Sequence, residues 1–191
     1  MLAVQFRVAD TNMKHAVLVA IACAALLTGC AKKYTTPPRV TVEEVCQEFG
    51  LEIERPDARR WELDVTRSGD FAAINFITNT SPVKEFGIAI SPSAHESAAD
   101  PEAQNQLKQS IVHLDKVNEE WVTQSDGEPA YHMNYEALAD GSRNYGCASL
   151  FLANGYMYAA IVSRYGKPAS SDRELLSLLE AVHVVDLHAS P

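Results

Sequence analysis

Residues 144–165 read NYGCASLFLANGYMYAAIVSRY, and this stretch decides the fold of the chain. It is nearly uncharged and rich in β-branched and aromatic residues, which favour strands. Asn154-Gly155 divides it, and this dipeptide favours a tight hairpin turn. Strands without a polar face are buried on both sides. The stretch therefore predicts two central antiparallel strands, 144–152 and 156–165.

Further strands are expected on both sides of this hairpin, because apolar residues alternate with polar ones. In one of them Tyr131, Met133 and Tyr135 face one way, while the residues between them face the other. Asp140-Gly141 is a second hairpin signal. The expected strands lie at 51–54, 61–65, 72–76, 86–90, 117–123 and 131–136, with a short final strand at 184–187.

Three helices are predicted from their start signals. Residues 41–44, TVEE, form a capping box that opens a helix as far as about residue 48. Residues 100–102, Asp-Pro-Glu, open a second helix that runs to residue 114. Residues 171–174, SDRE, form another capping box and open the last helix, 171–182. Its apolar positions are expected to face the core: Leu175, Leu178, Leu179 and Val182.

This order of elements predicts one α+β domain over residues 41–191. Its core is expected to be an antiparallel sheet of about six to seven strands, packed by two to three helices. The chain carries 16 Lys and Arg against 25 Asp and Glu, a net charge of −9. Because nucleic-acid binding needs clustered positive charge, this balance argues against a nucleic-acid partner.

Residues 13–30 form an export signal of a recognisable kind. Met13-Lys14-His15 precede an apolar run, 16–27, which is too short for a bilayer span of about 20 residues. The run ends in Leu27-Thr28-Gly29-Cys30, which resembles the lipobox of bacterial lipoproteins. The resemblance implies cleavage between Gly29 and Cys30. A non-lipidated secretory signal and a buried core helix are the alternatives.

The lipobox also organises the rest of the N-terminal region. Residues 1–12 are expected to be an upstream extension, with Met13 a more natural start than Met1. Residues 30–40 would form the lipidated N-terminus and a tether. The resemblance implies a diacylglyceryl and acyl anchor on Cys30 that holds the protein to a lipid bilayer. Since Ala31 is not Asp, it further implies the outer membrane, facing the periplasm, in a cell that has an outer membrane.

Cys46 and Cys147 are the two thiols that remain after the signal segment and the lipidated cysteine are set aside. In an exported, oxidising compartment the expectation is a disulfide between them. A metal-binding or catalytic thiol is the competing interpretation, but neither cysteine has a partner at metal-ligand spacing.

Catalytic motifs are missing from the sequence: it has no G-x-S-x-G elbow, HExxH, P-loop or EF-hand loop. We therefore expect a non-enzyme without a cofactor. Arg59-Arg60 beside Trp61 are candidates for binding an anion or a partner, against a solvated turn. His132 and Glu136 share a strand face and are interaction candidates, against a plain polar row. His183 and His188 suggest a metal site only weakly.

The arrangement resembles the PsbP-like fold family. The matching features are Pro56 to Trp61, the helix at 101–114, the aromatic hairpin region at 131–165 and the closing helix at 171–182. The resemblance implies an α/β/α sandwich and a binding or assembly role without catalytic residues. We therefore expect an envelope lipoprotein with an envelope protein partner. The alternative is a periplasmic carrier of a small molecule or metal.

Overall fold

The computed structural model describes residues 40–111, 114–124, 127–139, 142–185 and 187. The signal segment, the lipobox with Cys30 and residues 31–39 of the tether lie outside the described residues. So do the two possible start residues, the Asp140-Gly141 turn and His188. The predictions made for them remain predictions.

The described chain contains α-helices and antiparallel strands in the predicted order. The helices are α1 (Val42–Phe49), α2 (Pro101–Ser110) and α3 (Arg173–Glu180), with a 3₁₀ turn at Ala169–Ser171. The strands are β1 (Leu51–Glu52), β2 (Trp61–Ser68), β3 (Phe71–Thr78), β4 (Lys84–Pro92), β5 (Asp115–Thr123), β6 (Pro129–Ala139), β7 (Ser142–Ala153), β8 (Tyr156–Tyr165) and β9 (His183–Val184). None of the helices in this part of the chain is long and apolar enough to span a membrane.

Seven strands form one antiparallel sheet in the order β2-β3-β4-β8-β7-β6-β5. The β7–β8 hairpin lies inside it, turning at Asn154 (φ 51°) and Gly155 (φ 76°), as its sequence predicts. Strands β1 and β9 form a separate two-stranded ladder, in which Leu51 pairs with Val184. The predicted α+β class and the predicted number of strands in the sheet are confirmed.

The sheet is covered on both faces. On the first face lie α1 and α3, and on the second face lies α2. Each core is apolar, and β7 and β8 contribute alternate residues to both of them. The first-face core includes Val45, Phe49, Ile74, Ile88, Phe151, Val162, Leu175 and Leu178. The second-face core includes Ala103, Leu107, Ile111, Tyr131, Met133, Leu150 and Ile161.

A cluster of ion pairs fixes α3 to the sheet. The carboxylate of Asp172 lies 2.8 Å from Lys84 Nζ and 3.0 Å from Arg164 Nη1, and Lys84 also reaches Glu174 at 2.7 Å. Burial raises the pKa of Asp172, but hydrogen bonds from Lys84 and the Leu175 amide outweigh burial, so that this pKa is lowered overall. The hydrogen bond from Lys84 also lowers the pKa of Glu174.

Most strands differ from the prediction by a few residues at their ends, and three further boundaries differ for a local reason. Asp172, not Ser171, caps α3, since its carboxylate accepts the Leu175 amide and residues 169–171 turn as a 3₁₀ helix instead. Helix α2 ends at Ser110, because Ile111 leaves the helical conformation. The last strand stops at Val184, after which the Val185 amide bonds to Gly50 O at 2.7 Å.

Candidate functional site

A groove of about 500 Å³ lies on the first face, between strands β5–β7 and one side of α3. It exists because α3 packs over β8 and β4, whereas α1 lies toward β2, so that neither helix closes this part of the sheet. The main groove-lining side chains are Asn118, Glu120, Gln124, His132, Asn134, Cys147, Ser149, Phe151, Leu176, Leu179, Glu180, Val182 and His183.

The floor of the groove is polar and is built from cross-strand rows. The register places Glu120 opposite His132, and His132 opposite Ser149. A parallel row joins Asn118, Asn134 and Cys147 in the same manner. Residues directly opposite one another have Cβ atoms about 5 Å apart. The Asn134 side-chain amide donates to Asn118 Oδ1 at 2.7 Å, which orders this row.

The wall of the groove is apolar and comes from α3. Leu175 and Leu178 point into the core, whereas Leu176 and Leu179 are half-buried and border the groove. Val182, just beyond the helix, extends the same wall. The wall and the floor together offer hydrogen-bonding groups on one side of a ligand and apolar contact on the other, which is typical of small-molecule sites.

The charges that line the groove are all negative. Its described lining includes Glu120 and Glu180 and contains no lysine or arginine. Burial lowers the pKa of His132, and the nearby Glu120 carboxylate opposes this only in part, so the imidazole is neutral near pH 7. A neutral imidazole can donate one hydrogen bond and accept another.

Cys147 lies in the groove floor as a buried thiol. Burial raises its pKa to about 11, which keeps it protonated at neutral pH. It therefore offers a ligand a polarisable contact and not a thiolate nucleophile. The groove as a whole is suited to binding.

The sequence-predicted interaction residues do not assemble into one site. His132 lies in the groove floor, but Glu136, on the same face of β6, pairs with Arg143 at 2.7 Å and does not line the groove. Arg60 pairs with Glu174 at 3.2 Å. The backbone N–H of Arg59 donates to Asp57 Oδ1 at 3.0 Å in a turn. This agrees with the alternative prediction that Arg59 and Arg60 belong to a solvated turn.

The predicted disulfide between Cys46 and Cys147 is not formed, and both thiols are free. Helix α1 carries Cys46 and meets the sheet where the Tyr158 hydroxyl donates to Phe49 O. Cys147 pairs with Val162, which lies four residues, or about 13 Å, along β8 from Tyr158, so the two cysteines lie over different parts of the sheet. A disulfide needs Cα atoms about 4–7 Å apart, so these positions do not suit one.

The metal signals seen in the sequence give no metal centre in the groove. His183 borders it, and its possible partner His188 lies outside the described residues. A different group, His95, Asp100 and Glu102, brings ligand atoms within 4.8 Å of one another. Asp100 already caps α2 through the Glu102 amide and bonds His95 Nδ1 at 3.1 Å, so local structure accounts for this group.

Several groove residues were not predicted from the sequence. The alternation of residues 117–123 could have identified Asn118 and Glu120, since it places them on one face of an edge strand. No sequence pattern indicates Ser149, because it lies within an apolar strand. Leu176 and Leu179 differ from the core leucines only through the position of α3 on the sheet.

Comparisons with known proteins give little further information. No family model matches the chain. No curated protein matches it either. A solved structure, described as LpqN involved in cell envelope biogenesis of Mycobacterium tuberculosis, is similar over 78% of this chain and 99% of its own. The two share 8% sequence identity with a TM-score of 0.40, a likeness too low to assign a family or a function. The PsbP-like resemblance remains a prediction.

Proposed function

We propose that this protein is a lipid-anchored, non-enzymatic binding protein of the bacterial cell envelope. The lipobox ending at Cys30 supports the anchor, and Ala31 supports the outer membrane, with the domain facing the periplasm. Single acyl chains bind membranes only marginally, so stable attachment needs the several chains that a lipidated cysteine carries. The domain then takes its ligand or partner in the groove between β5–β7 and α3.

The groove is the observation that supports binding. Its volume of about 500 Å³ falls within the range of about 300–1,000 Å³ that small-molecule sites occupy. Its apolar wall and polar floor come from rigid elements, an arrangement that fixes the orientation of a ligand. The volume favours a small-molecule carrier over an assembly factor that docks a large protein surface.

Native mass spectrometry of protein purified from membranes tests the proposal. We expect an added mass on the wild-type protein and its loss in Leu179→Asp, which places a charge on the groove wall. Leu63→Asp is the matched control, because Leu63 is an exposed leucine on β2, outside the groove. An added mass that survives Leu179→Asp, or the absence of any in the wild type, would contradict the proposed groove function.

The anchor has a separate test. A Cys30→Ala variant should leave the membrane fraction, and cross-linking in intact cells should lose any envelope partner that the lipidated form recovers. Retention of Cys30→Ala in the outer membrane would show that the attachment does not depend on this cysteine. That result would leave the groove proposal intact.

A further inference from the structure

We infer that the ligand of the groove is a small aliphatic amine, with its ammonium group drawn to the negative rim that Glu120 and Glu180 form and its hydrocarbon chain along α3. This inference rests on the proposed function, since it assumes that the groove is a ligand site. It goes further by specifying the charge and the shape of that ligand.

Charge complementarity indicates the sign of the charge that the ligand carries. Glu120 and Glu180 border the groove from opposite sides, one on β5 and one at the end of α3. Neither forms a salt bridge within the part of the chain that the structure describes. An anionic ligand would meet two carboxylates without a lysine or arginine to offset them, whereas the negative potential of both carboxylates would attract an ammonium group.

The surrounding groups agree with this sign. His132 lies between Glu120 and Ser149 on the floor, and its lowered pKa leaves no imidazolium to repel a cation near neutral pH. The Ser149 hydroxyl can accept a hydrogen bond from an ammonium N–H. The Cys147 thiol stays neutral, so it adds no charge to that of the two glutamates.

The α3 wall indicates that the rest of the ligand, apart from its ammonium group, is apolar. Leu176, Leu179 and Val182 place three apolar side chains along the groove, and Phe151 adds a fourth from the sheet. Nothing on this wall can hydrogen-bond through a side chain, so a sugar or a nucleotide would lose contacts with water along it without replacement. A short alkyl chain would bury against it favourably.

Calorimetric titration of the full chain in zwitterionic nanodiscs tests the inference, with empty nanodiscs as the blank. The probes are hexylamine, hexanol and hexanoate, which share one chain length and differ in charge, together with the peptide N-acetyl-Leu-Lys-Leu-amide. The variants are Glu120→Gln, Glu180→Gln and the double variant, all at exposed residues. Glu62→Gln on β2 is the matched control, because Glu62 is exposed and lies outside the groove.

We expect hexylamine to bind more tightly than hexanol, and hexanoate to bind least. Each single variant should weaken hexylamine binding about threefold to fivefold, and Glu62→Gln should leave it unchanged. Equal binding of the three probes would overturn the inference that the ligand is an amine, but it would leave the proposal that the groove binds a ligand intact. Tighter binding of the peptide than of hexylamine would replace the small amine with a lysine of a partner protein.

A negative result also separates the two proposals. If hexylamine does not bind but the added mass in the native spectrum still depends on Leu179, the inference of an amine ligand is wrong and the proposed binding function of the groove is retained. If hexylamine does not bind and no such mass is found, both are wrong.

Discussion

The two sides of α3 carry the same residue type in different roles. Leu175 and Leu178 are 0% and 5% exposed and pack into the first-face core. Leu176 and Leu179, one position farther along the helix in each case, are half-buried and line the groove. The four leucines form one broad apolar face of an eight-residue helix, and this face connects the core of the protein to its candidate ligand site.

The difference shows how the protein can hold a leucine wall open. An apolar surface beside a groove would gain free energy by closing onto the sheet, unless something fixes the helix in place. The ion pairs of Asp172 with Lys84 and Arg164 lie at the start of α3, and the core leucines face the sheet next to them. We therefore expect substitutions on the core side to change stability and substitutions on the groove side to change binding.

The largest effect is expected for Asp172→Ala. Asp172 is 8% exposed, so removing its carboxylate leaves Lys84 and Arg164 poorly compensated and also removes the cap of α3. The free energy of unfolding should fall by about 3–5 kcal/mol, measured by urea denaturation. Glu174→Ala is the control, because its side chain is 34% exposed and Asp172 still pairs with Lys84. Equal losses in the two variants would show that burial does not set the strength of these pairs.

The leucines compare the two sides of the helix directly. Leu175→Ala should cost about 2–5 kcal/mol, because it leaves a cavity in a fully buried site. Leu179→Ala should cost less, about 1–2 kcal/mol, since its half-buried side chain packs against the core on one side and borders the groove on the other, and it should weaken hexylamine binding. Denaturation and titration of the same two proteins measure both quantities. A larger loss of stability in Leu179→Ala would mean that the groove side belongs to the core.

Acid should weaken the attachment of α3 in a defined direction. The pKa values of Asp172 and Glu174 are lowered in the folded protein, so both carboxylates bind protons more readily after unfolding. Their contribution to stability is complete above their unfolded pKa values, near pH 4, and is lost as the pH falls through the folded values. Between pH 6 and pH 3 we expect wild type to lose about 1 kcal/mol more than Lys84→Met, in which the main pairing cation is absent.

The sequence predicted the sheet better than it predicted the site, for a physical reason. Strands 144–152 and 156–165 are nearly uncharged and meet at Asn-Gly, so their burial and pairing follow from local composition. On α3, Leu179 and Val182 look like core residues because they continue the same apolar face as Leu175 and Leu178. Only the position of the helix over β8 separates the groove-lining residues from the core residues. The Cys46–Cys147 disulfide was inferred from the compartment and from there being two thiols, neither of which contains information about distance.

The smallest predicted effect concerns Cys147, which lies on the floor beneath the leucine wall. Its pKa of about 11 leaves little thiolate at pH 8, so maleimide should label it slowly, at a rate that rises about tenfold per pH unit. Leu179→Ala should speed this labelling severalfold by widening access, while the half-buried Cys46 on α1 keeps its rate. Peptide mapping without reductant identifies each site and detects any disulfide between them. An unchanged rate of Cys147 labelling in Leu179→Ala would mean that reagents reach the groove floor without passing the α3 wall. The groove-lining leucines would then not control access to the ligand site, and the proposed separation between leucines for stability and leucines for binding would be wrong.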